Sequence, residues 1–190
     1  MKISETGYWE EICSHHTDEG LKKTLVEFLK DMGSIVDFGC GDASYIKHIS
    51  SNLNIKVEGY DGTPNVDTIS GGVAKQLDLS NPFDFKKKFD VVMSLEVAEH
   101  IPKEYENIYV NNLITHCGGY LIISWAIPGQ GGKGHVNEQP NKYVLNLFKN
   151  LGFEYLEEFT ECLRSNITNC IWFKNTIFIF KKQNIYNEQN

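Results

Sequence analysis

Arginine is almost absent from this sequence, since Arg164 is the only one among 190 residues. The net charge is −7 at pH 7 and the pI is about 5.4, so no overall positive field would attract a phosphate backbone. The longest basic run, at residues 86–88, is expected to lie in a solvated loop ahead of a strand. The composition therefore predicts a protein without a nucleic-acid partner.

Cysteine pairs and long apolar runs are missing too. None of the five cysteines has C-x-x-C spacing, which argues against a disulfide framework and against a zinc site. Histidines and carboxylates do not stand at a recognisable ligand spacing, so the sequence predicts no metal. No apolar run approaches the ~20 residues of a membrane span, and the first five residues lack the apolar core of a signal peptide. We therefore expect a cytoplasmic protein without a membrane partner.

What the sequence does contain is an alternation of apolar runs and amphipathic segments. Strands are predicted at residues 35–39, 55–61, 73–77, 89–95, 120–125, 154–160 and 175–182. Helices are predicted at residues 18–30, 44–50, 103–117 and 141–151. Five strand–helix alternations followed by a terminal strand pair predict an α/β fold with a mostly parallel sheet.

The chain is expected to form a single domain over residues 1–182, followed by a polar tail at 183–190. Residues 1–32 form an N-terminal arm and helix in this scheme. The arm carries aromatic residues and histidines in a polar setting, and two interpretations of it stay open. It packs its rings on the domain, or it forms a lid over a ligand.

The stretch from Ile35 to Ala43 organises the chain. A β-branched run reaches Asp37, and Gly39 and Gly41 follow with one residue between them. This pattern predicts a strand, a tight turn and a helix whose N-terminal amides meet a ligand. The dinucleotide fingerprint G-x-G-x-x-G needs a third glycine that is missing here. Asp37 would repel a pyrophosphate, whereas it would favour a sulfonium nucleoside with an ammonium group.

Acidic residues follow the next two predicted strands. Asp61 comes 22 residues after Gly39, where a carboxylate can accept two hydrogen bonds from a ribose diol. Asp78 ends the third predicted strand, near the expected place of an adenine amino group. In open parallel sheets the ligand lies beyond the carboxyl ends of the strands, so both acids are candidates for binding a nucleoside.

In these motifs the sequence resembles the class I S-adenosylmethionine-dependent methyltransferases. Four segments carry the resemblance: DFGCGDA at 37–43, similar to their D-x-G-x-G-x-G motif with Ala43 as the last residue, YDG at 60–62, QLDL at 76–79 and FDVVMSLEVAEHIP at 89–102. The resemblance covers roughly residues 33–182. It implies a Rossmann-like seven-stranded sheet of order 3-2-1-4-5-7-6, with strand 7 antiparallel and helices on both faces.

The same resemblance implies S-adenosyl-L-methionine as cofactor. The residues that it assigns to cofactor binding are Asp37, Gly39, Cys40, Gly41, Asp61, Gly62, Asp78, Leu79, Ser94 and Leu95. Methyl transfer to a hydroxyl also needs a general base. Candidates are His100 with Glu96 beside it, and His135 after the glycine-rich loop at 128–134. The alternatives are a structural histidine at position 100 and a flexible surface loop around position 135.

The segment at residues 124–137 is similar to a subgroup of small methyltransferases in large DNA viruses and aquatic microbes, some of which are linked to glycan modification. This likeness implies O-methylation of a sugar hydroxyl on a glycan or nucleotide sugar. Gln130, Lys133, His135 and Asn137 would suit such an acceptor, and Trp125 would either stack on it or lie in the core.

Two other functions remain open. One is N-methylation of a protein or a small metabolite. The other is a non-catalytic module that binds S-adenosylmethionine and acts through protein contacts. A nicotinamide dehydrogenase is disfavoured by the missing third glycine and by Asp37.

Overall fold

A computed structural model describes residues 2–10 and 15–183. Its centre is one seven-stranded sheet with the order β3-β2-β1-β4-β5-β7-β6. The strands are β1 (Ser34–Phe38), β2 (Lys56–Asp61), β3 (Ala74–Gln76), β4 (Phe89–Ser94), β5 (Cys117–Ser124), β6 (Phe153–Tyr155) and β7 (Ile177–Lys182). β7 is antiparallel to both of its neighbours, β5 and β6, and every other strand pair in this sheet is parallel. The predicted strand order and the antiparallel seventh strand are confirmed.

Helices cover both faces of this sheet. They are α1 (Glu19–Leu29), α2 (Ser44–Asn52), α3 (Val66–Ile69), α4 (Glu106–His116), α5 (Asn141–Asn150), α6 (Glu157–Ser165) and α7 (Phe173–Thr176), with a 3-10 turn at Lys103–Tyr105. Because successive strand residues point to opposite faces, Ile35 packs in one hydrophobic cluster with α1 and α2, while Val36 packs in a second cluster with α4 and α5. The two clusters explain why β1 and β4 are almost continuously apolar.

Several element boundaries differ from the sequence prediction. Of the predicted strand at 154–160, only residues 154 and 155 are extended, at the end of β6 (Phe153–Tyr155), and α6 (Glu157–Ser165) follows. Two acidic residues in its first turn favour the helix. Its residues Thr160 and Leu163 are buried against the rest of the domain.

Gly118 and Gly119, which come soon after the end of α4, both lie inside β5. A Cβ on Gly119 would lie 2.8 Å from the carbonyl oxygen of Asp90. Glycine therefore permits the close approach of β4 at a point where the register shifts.

The described helices include none that is both long enough and apolar enough to cross a membrane.

Candidate functional site

A cavity of about 440 Å³ lies at the carboxyl ends of the parallel strands. Its walls come from the turns after β1 to β4, from the loop after β5 and from the N-terminal arm. Eight of the ten residues proposed for cofactor binding line it: Asp37, Gly39, Cys40, Asp61, Gly62, Asp78, Leu79 and Leu95. The three proposed catalytic residues, Glu96, His100 and His135, line the same cavity. Its volume is in the usual range for small-molecule sites.

The remaining two proposed residues, Gly41 and Ser94, lie behind the cavity wall. Ser94 is fully buried, and its hydroxyl donates to the carbonyl oxygen of Phe38 at 2.6 Å and bonds to the hydroxyl of Tyr109 at 2.8 Å. Ser94 therefore joins β4 to β1 beneath the site rather than facing a ligand. The backbone amide of Gly41 donates to the carboxylate of Asp61 at 2.8 Å, so Gly41 fixes an acid that does face the cavity.

The turn after β1 depends on its two glycines. Gly39 has φ +85° and Gly41 has φ +54°, both in the region that side-chain residues rarely adopt. A Cβ on Gly39 would collide with the side chain of Val97, and a Cβ on Gly41 would lie 2.7 Å from the imidazole of His15. The glycines therefore let the turn form and let neighbouring segments approach it closely.

Asp37 is a buried acid that lines the cavity. Its side chain is only 3% exposed, and burial together with the charge of Asp61 raises its pKa to about 8. No hydrogen bond or ion pair to this carboxylate occurs within the described part of the chain. A cationic group in the cavity would supply the missing partner, which fits the ammonium and sulfonium end of S-adenosylmethionine.

Asp61 and Asp78 have carboxylates that are held in place by hydrogen bonds. Asp61 accepts from the backbone amides of Gly41 and Thr63, each at 2.8 Å. One oxygen of Asp78 accepts from Ser80, and the other accepts from the hydroxyl of Thr6 at 2.9 Å. Each carboxylate oxygen can accept a further bond, so both acids remain able to bind ribose or adenine donors.

The N-terminal arm forms one wall of the cavity. Thr6, Tyr8 and Trp9 line the cavity. His15 and His16, which follow residues 11–14 in the sequence, line it as well, and residues 11–14 lie outside the described residues. Tyr8 packs so closely on Gly62 that a Cβ there would collide with it. The arm therefore packs on the domain, as one of the two interpretations from the sequence expects, and its side chains also line the cavity.

The carboxylate of Glu96 and the imidazoles of His100 and His135 share the other side of the cavity. Glu96 accepts from the hydroxyl of Ser124 at 2.8 Å and from the amide of Gln130 at 3.2 Å. Its φ of +55° is unusual for a residue with a side chain, and burial raises its pKa. Strained backbone of this kind is common at functional sites.

The two imidazoles are each held through Nδ1. In His100 this atom is 3.2 Å from the carbonyl oxygen of Gly134, and in His135 it is 2.9 Å from a carboxylate oxygen of Glu138. Glu138 also accepts from the amides of Gly129 and Gly131, so the glycine-rich loop is organised around it. Burial and the neighbouring His135 lower the pKa of His100 to about 4.

Sequence reasoning missed the proximity of Glu99 to these rings. The donor atoms of Glu99, His100 and His135 all lie within 4.8 Å of one another, an arrangement that could hold a metal ion. A spacing between neighbouring residues could not predict this group, because Glu99 and His100 are adjacent in the sequence whereas His135 comes from another loop. The sequence signal was the E-H pair itself, and only the path of the loop after β5 completes the group.

Two residues suggested for a sugar acceptor do not face the cavity. Trp125 is fully buried and its Nε1 donates to the carbonyl oxygen of Asn137 at 2.6 Å, so it belongs to the core. Asn137 is also buried, and its side-chain amide donates to Glu106 at 2.8 Å. Gln130 and Lys133 do line the cavity, as expected.

Comparison with known proteins supports one family. A family model described as a methyltransferase domain matches residues 13–158. No significant match was found among curated protein sequences.

Solved structures share the fold at low sequence identity. The sugar N-methyltransferase KedS8 from Streptoalloteichus sp ATCC 53650 superposes with a TM-score of 0.67 at 13% identity, covering 97% of this chain and 99% of that chain. CalS10 from Micromonospora echinaspora, an amino pentose methyltransferase, has a TM-score of 0.63 at 14% identity, and the match covers 85% of this chain and 90% of that chain. The magnesium protoporphyrin IX methyltransferase ChlM from Synechocystis PCC 6803, with bound SAH, has a TM-score of 0.60 at 15% identity and covers 90% of each chain.

Proposed function

Because this chain belongs to the methyltransferase domain family and is an S-adenosylmethionine-dependent methyltransferase, we propose that it methylates a sugar hydroxyl of a glycan or nucleotide sugar. The observation that carries the proposal is the polar character of one cavity wall. Glu96, His100, Gln130, Lys133 and His135 all line it. Hydrogen-bonding side chains of this kind suit a polyhydroxyl acceptor.

The cofactor side of the proposal rests on three acids. Asp37, which has no hydrogen bond or ion pair to any described residue, would bind the cationic end of the cofactor. Asp61 would accept from the ribose hydroxyls, and Asp78 with the apolar Leu79 would bind the adenine. The three acids would therefore hold the cofactor in the cavity that the polar side chains also line.

When bound, S-adenosylmethionine supplies an activated methyl group on a sulfonium, and the electron pair of the broken carbon–sulfur bond stays on sulfur. The chain's own contribution is positioning, exclusion of water and removal of a proton. Positioning of two reactants can lower a barrier by about 7–11 kcal/mol. The hydroxyl proton would pass to a base among Glu96, His100 and His135, all within the acceptor wall.

N-methylation of an amino sugar is the second candidate. Its support is that KedS8 and CalS10 are described as a sugar N-methyltransferase and an amino pentose methyltransferase. An amine acceptor has less need of a base than a hydroxyl, so substitutions in the polar wall would affect the two reactions differently.

The test is transfer of labelled methyl from S-adenosylmethionine to a panel of sugars, nucleotide sugars and amino sugars. We expect O-methyl products, identified by nuclear magnetic resonance, and a fall in kcat of about 100-fold or more in Glu96→Gln or His135→Ala. Glu104→Gln changes an exposed residue outside the cavity and is the matched control. Products methylated only on nitrogen would contradict the hydroxyl acceptor, and cofactor binding without turnover on any acceptor would favour a non-catalytic module.

A further inference from the structure

Glu99 is a buried acidic residue beside the imidazoles of His100 and His135. It is 0% exposed, and neither of its oxygens has a hydrogen-bond partner within residues 2–10 and 15–183. A buried carboxylate that lacks a partner is costly, so this position calls for a positively charged or proton-donating neighbour.

The two nearest imidazoles are oriented as metal ligands are. The Nδ1 atoms of His100 and His135 face acceptors, namely the carbonyl oxygen of Gly134 and the carboxylate of Glu138. Each Nδ1 therefore carries the proton, which leaves Nε2 with a free lone pair. Histidines that bind metals are held in this way by a carbonyl or a carboxylate on the other nitrogen.

The distances suit a single cation. Nε2 of His135 lies 4.0 Å from Oε1 of Glu99, too far for a hydrogen bond between them. A transition-metal ion about 2.1 Å from each of two ligand atoms needs those atoms no more than about 4.2 Å apart. His100 completes a set of donor atoms within 4.8 Å of one another, so a side-chain shift of under about 1 Å would close the set.

The charges around the two imidazoles also favour a bound cation. Glu96, Glu99 and Glu138 surround the two imidazoles, and no lysine or arginine pairs with any of them in the described ion pairs. A divalent cation would offset this concentration of negative charge.

From these observations we propose that Glu99, His100 and His135 form a binding site for one divalent transition-metal cation in the acceptor wall of the cavity. Mixed imidazole and carboxylate donors suit Mn²⁺, Fe²⁺, Co²⁺ or Zn²⁺ better than Ca²⁺ or Mg²⁺. The three side chains leave coordination positions open toward the cavity, where an acceptor oxygen can bind.

The catalytic consequence rests on the proposed function. An acceptor hydroxyl bound to the cation would lose its proton more easily. With both imidazoles acting as ligands, the proton passes to Glu96. The acceptor oxygen then forms its bond to the methyl carbon as the carbon–sulfur bond breaks, and the electron pair stays on sulfur.

The test is titration of the full chain, first freed of metal with a chelator, with Co²⁺. Visible absorption reports the coordination and calorimetry reports the stoichiometry. We expect one equivalent to bind with d–d bands, and Glu99→Gln and His135→Ala each to weaken binding by at least about tenfold. Glu99→Gln replaces a buried charge with a neutral side chain of the same size and is expected to fold. Its thermal unfolding should no longer shift when Co²⁺ is added.

Two further variants complete the experiment. Glu138→Gln should weaken Co²⁺ binding by about tenfold through the orientation of His135. His48→Ala, a histidine outside the cavity, should leave one equivalent bound. If Co²⁺ does not bind stoichiometrically, or binds equally to wild type, Glu99→Gln and His135→Ala, the proposal is wrong.

The same samples separate this proposal from the proposed function. S-adenosylmethionine affinity and methyl transfer are measured with chelator and with Co²⁺. Transfer to a sugar that proceeds fully in chelator, with no Co²⁺ binding, would overturn the cation site and leave the function intact. Specific Co²⁺ binding with no sugar methylated would confirm the site and contradict the function.

Discussion

At the scale of single residues, Asp37 combines two opposed effects. Its carboxylate is buried without a partner among the described residues, so its burial lowers the stability of the free protein, yet the same carboxylate is available to a cationic ligand. Function at the expense of stability is common in binding sites. Both the stability of the free protein and its affinity for a cationic ligand can be measured.

We predict that S-adenosylmethionine affinity depends on pH through Asp37. Because its pKa in the free protein is raised to about 8, a cationic ligand must displace a proton below that pH. Affinity should rise by about tenfold per pH unit up to pH 8 and then level off. Calorimetry should show that Asp37→Asn binds weakly with a flat pH dependence, while Asp67→Asn, at an exposed position, behaves as wild type. An unchanged affinity in Asp37→Asn would contradict this assignment.

Stability should move in the opposite direction. A folded-state pKa near 8 lies above the ordinary aspartate value of 3.8, so the free energy of unfolding falls as pH rises from about 4 to 8. Without ligand, Asp37→Asn should therefore be more stable than wild type at pH 8. Urea unfolding at pH 5 and pH 8 measures this, and the difference between the two proteins should be smaller at pH 5.

At the scale of elements, the N-terminal arm depends on contacts with distant turns. Thr6 donates to Asp78 at 2.9 Å, Tyr8 packs on Gly62, and Ile3 and Trp9 form a β-bridge within the arm. These contacts hold the arm against the turns after β2 and β3, where it forms one wall of the cavity.

We predict that Tyr8→Ala weakens S-adenosylmethionine binding by about tenfold, mainly through faster dissociation, because the ring that covers Gly62 is lost. Stopped-flow measurement of dissociation tests this. Glu5→Ala lies on the same arm at an exposed position outside the cavity and should dissociate at the wild-type rate. Equal rates for all three proteins would show that the arm does not cover the ligand.

The turn after β1 gives a second prediction at this scale. Gly41→Val would put a β-branched side chain at φ +54° and 2.7 Å from the imidazole of His15, so the turn must shift and release Asp61. We expect at least a tenfold loss of S-adenosylmethionine affinity. Gly71→Val also changes a glycine with positive φ, but nothing lies within 4 Å of its added Cβ. It should keep wild-type affinity, and similar losses in both variants would contradict a local effect at Gly41.

At the scale of the whole molecule, Asp18 joins the start of α1 to the segment before α7. Its carboxylate accepts from the amide of Leu21 and from the amides of residues 168–170, about 150 positions away. Burial raises its pKa, but these four amides outweigh burial and lower it to about 2. One ionised side chain therefore links the start of α1 to a segment that also packs with α1 in the same hydrophobic cluster.

Asp18→Asn should lower the free energy of unfolding by about 2 kcal/mol at pH 7. Because the folded pKa is lowered, this contribution is complete above about pH 4 and is lost as pH falls toward 2. Urea unfolding at pH 7 and pH 3 should show the difference from wild type narrowing by about half. Asp67→Asn serves again as the exposed control, and a difference that stays constant with pH would show that charge is not the cause.

Much of the fold and of the cofactor side followed from the sequence by itself. Strand, turn and helix around Gly39, and acids at the ends of the next two strands, are properties of neighbouring residues and of a period of two or 3.6. Parallel strands end at one edge of the sheet, so residues that end different strands meet there. For that reason the sequence alone is enough to predict that Asp37, Asp61 and Asp78 lie around one cavity.

Only the tertiary structure decided the rest. The burial of Ser94 and Trp125, the position of the arm over Gly62, and the grouping of Glu99 and His100 with His135 all depend on the paths of loops. Those paths are fixed by packing between segments far apart in the chain, and a periodic pattern carries no information about such packing. The chain's local chemistry thus determined which acids meet at the ends of the parallel strands, whereas three-dimensional packing determined which side chains share the cavity with them.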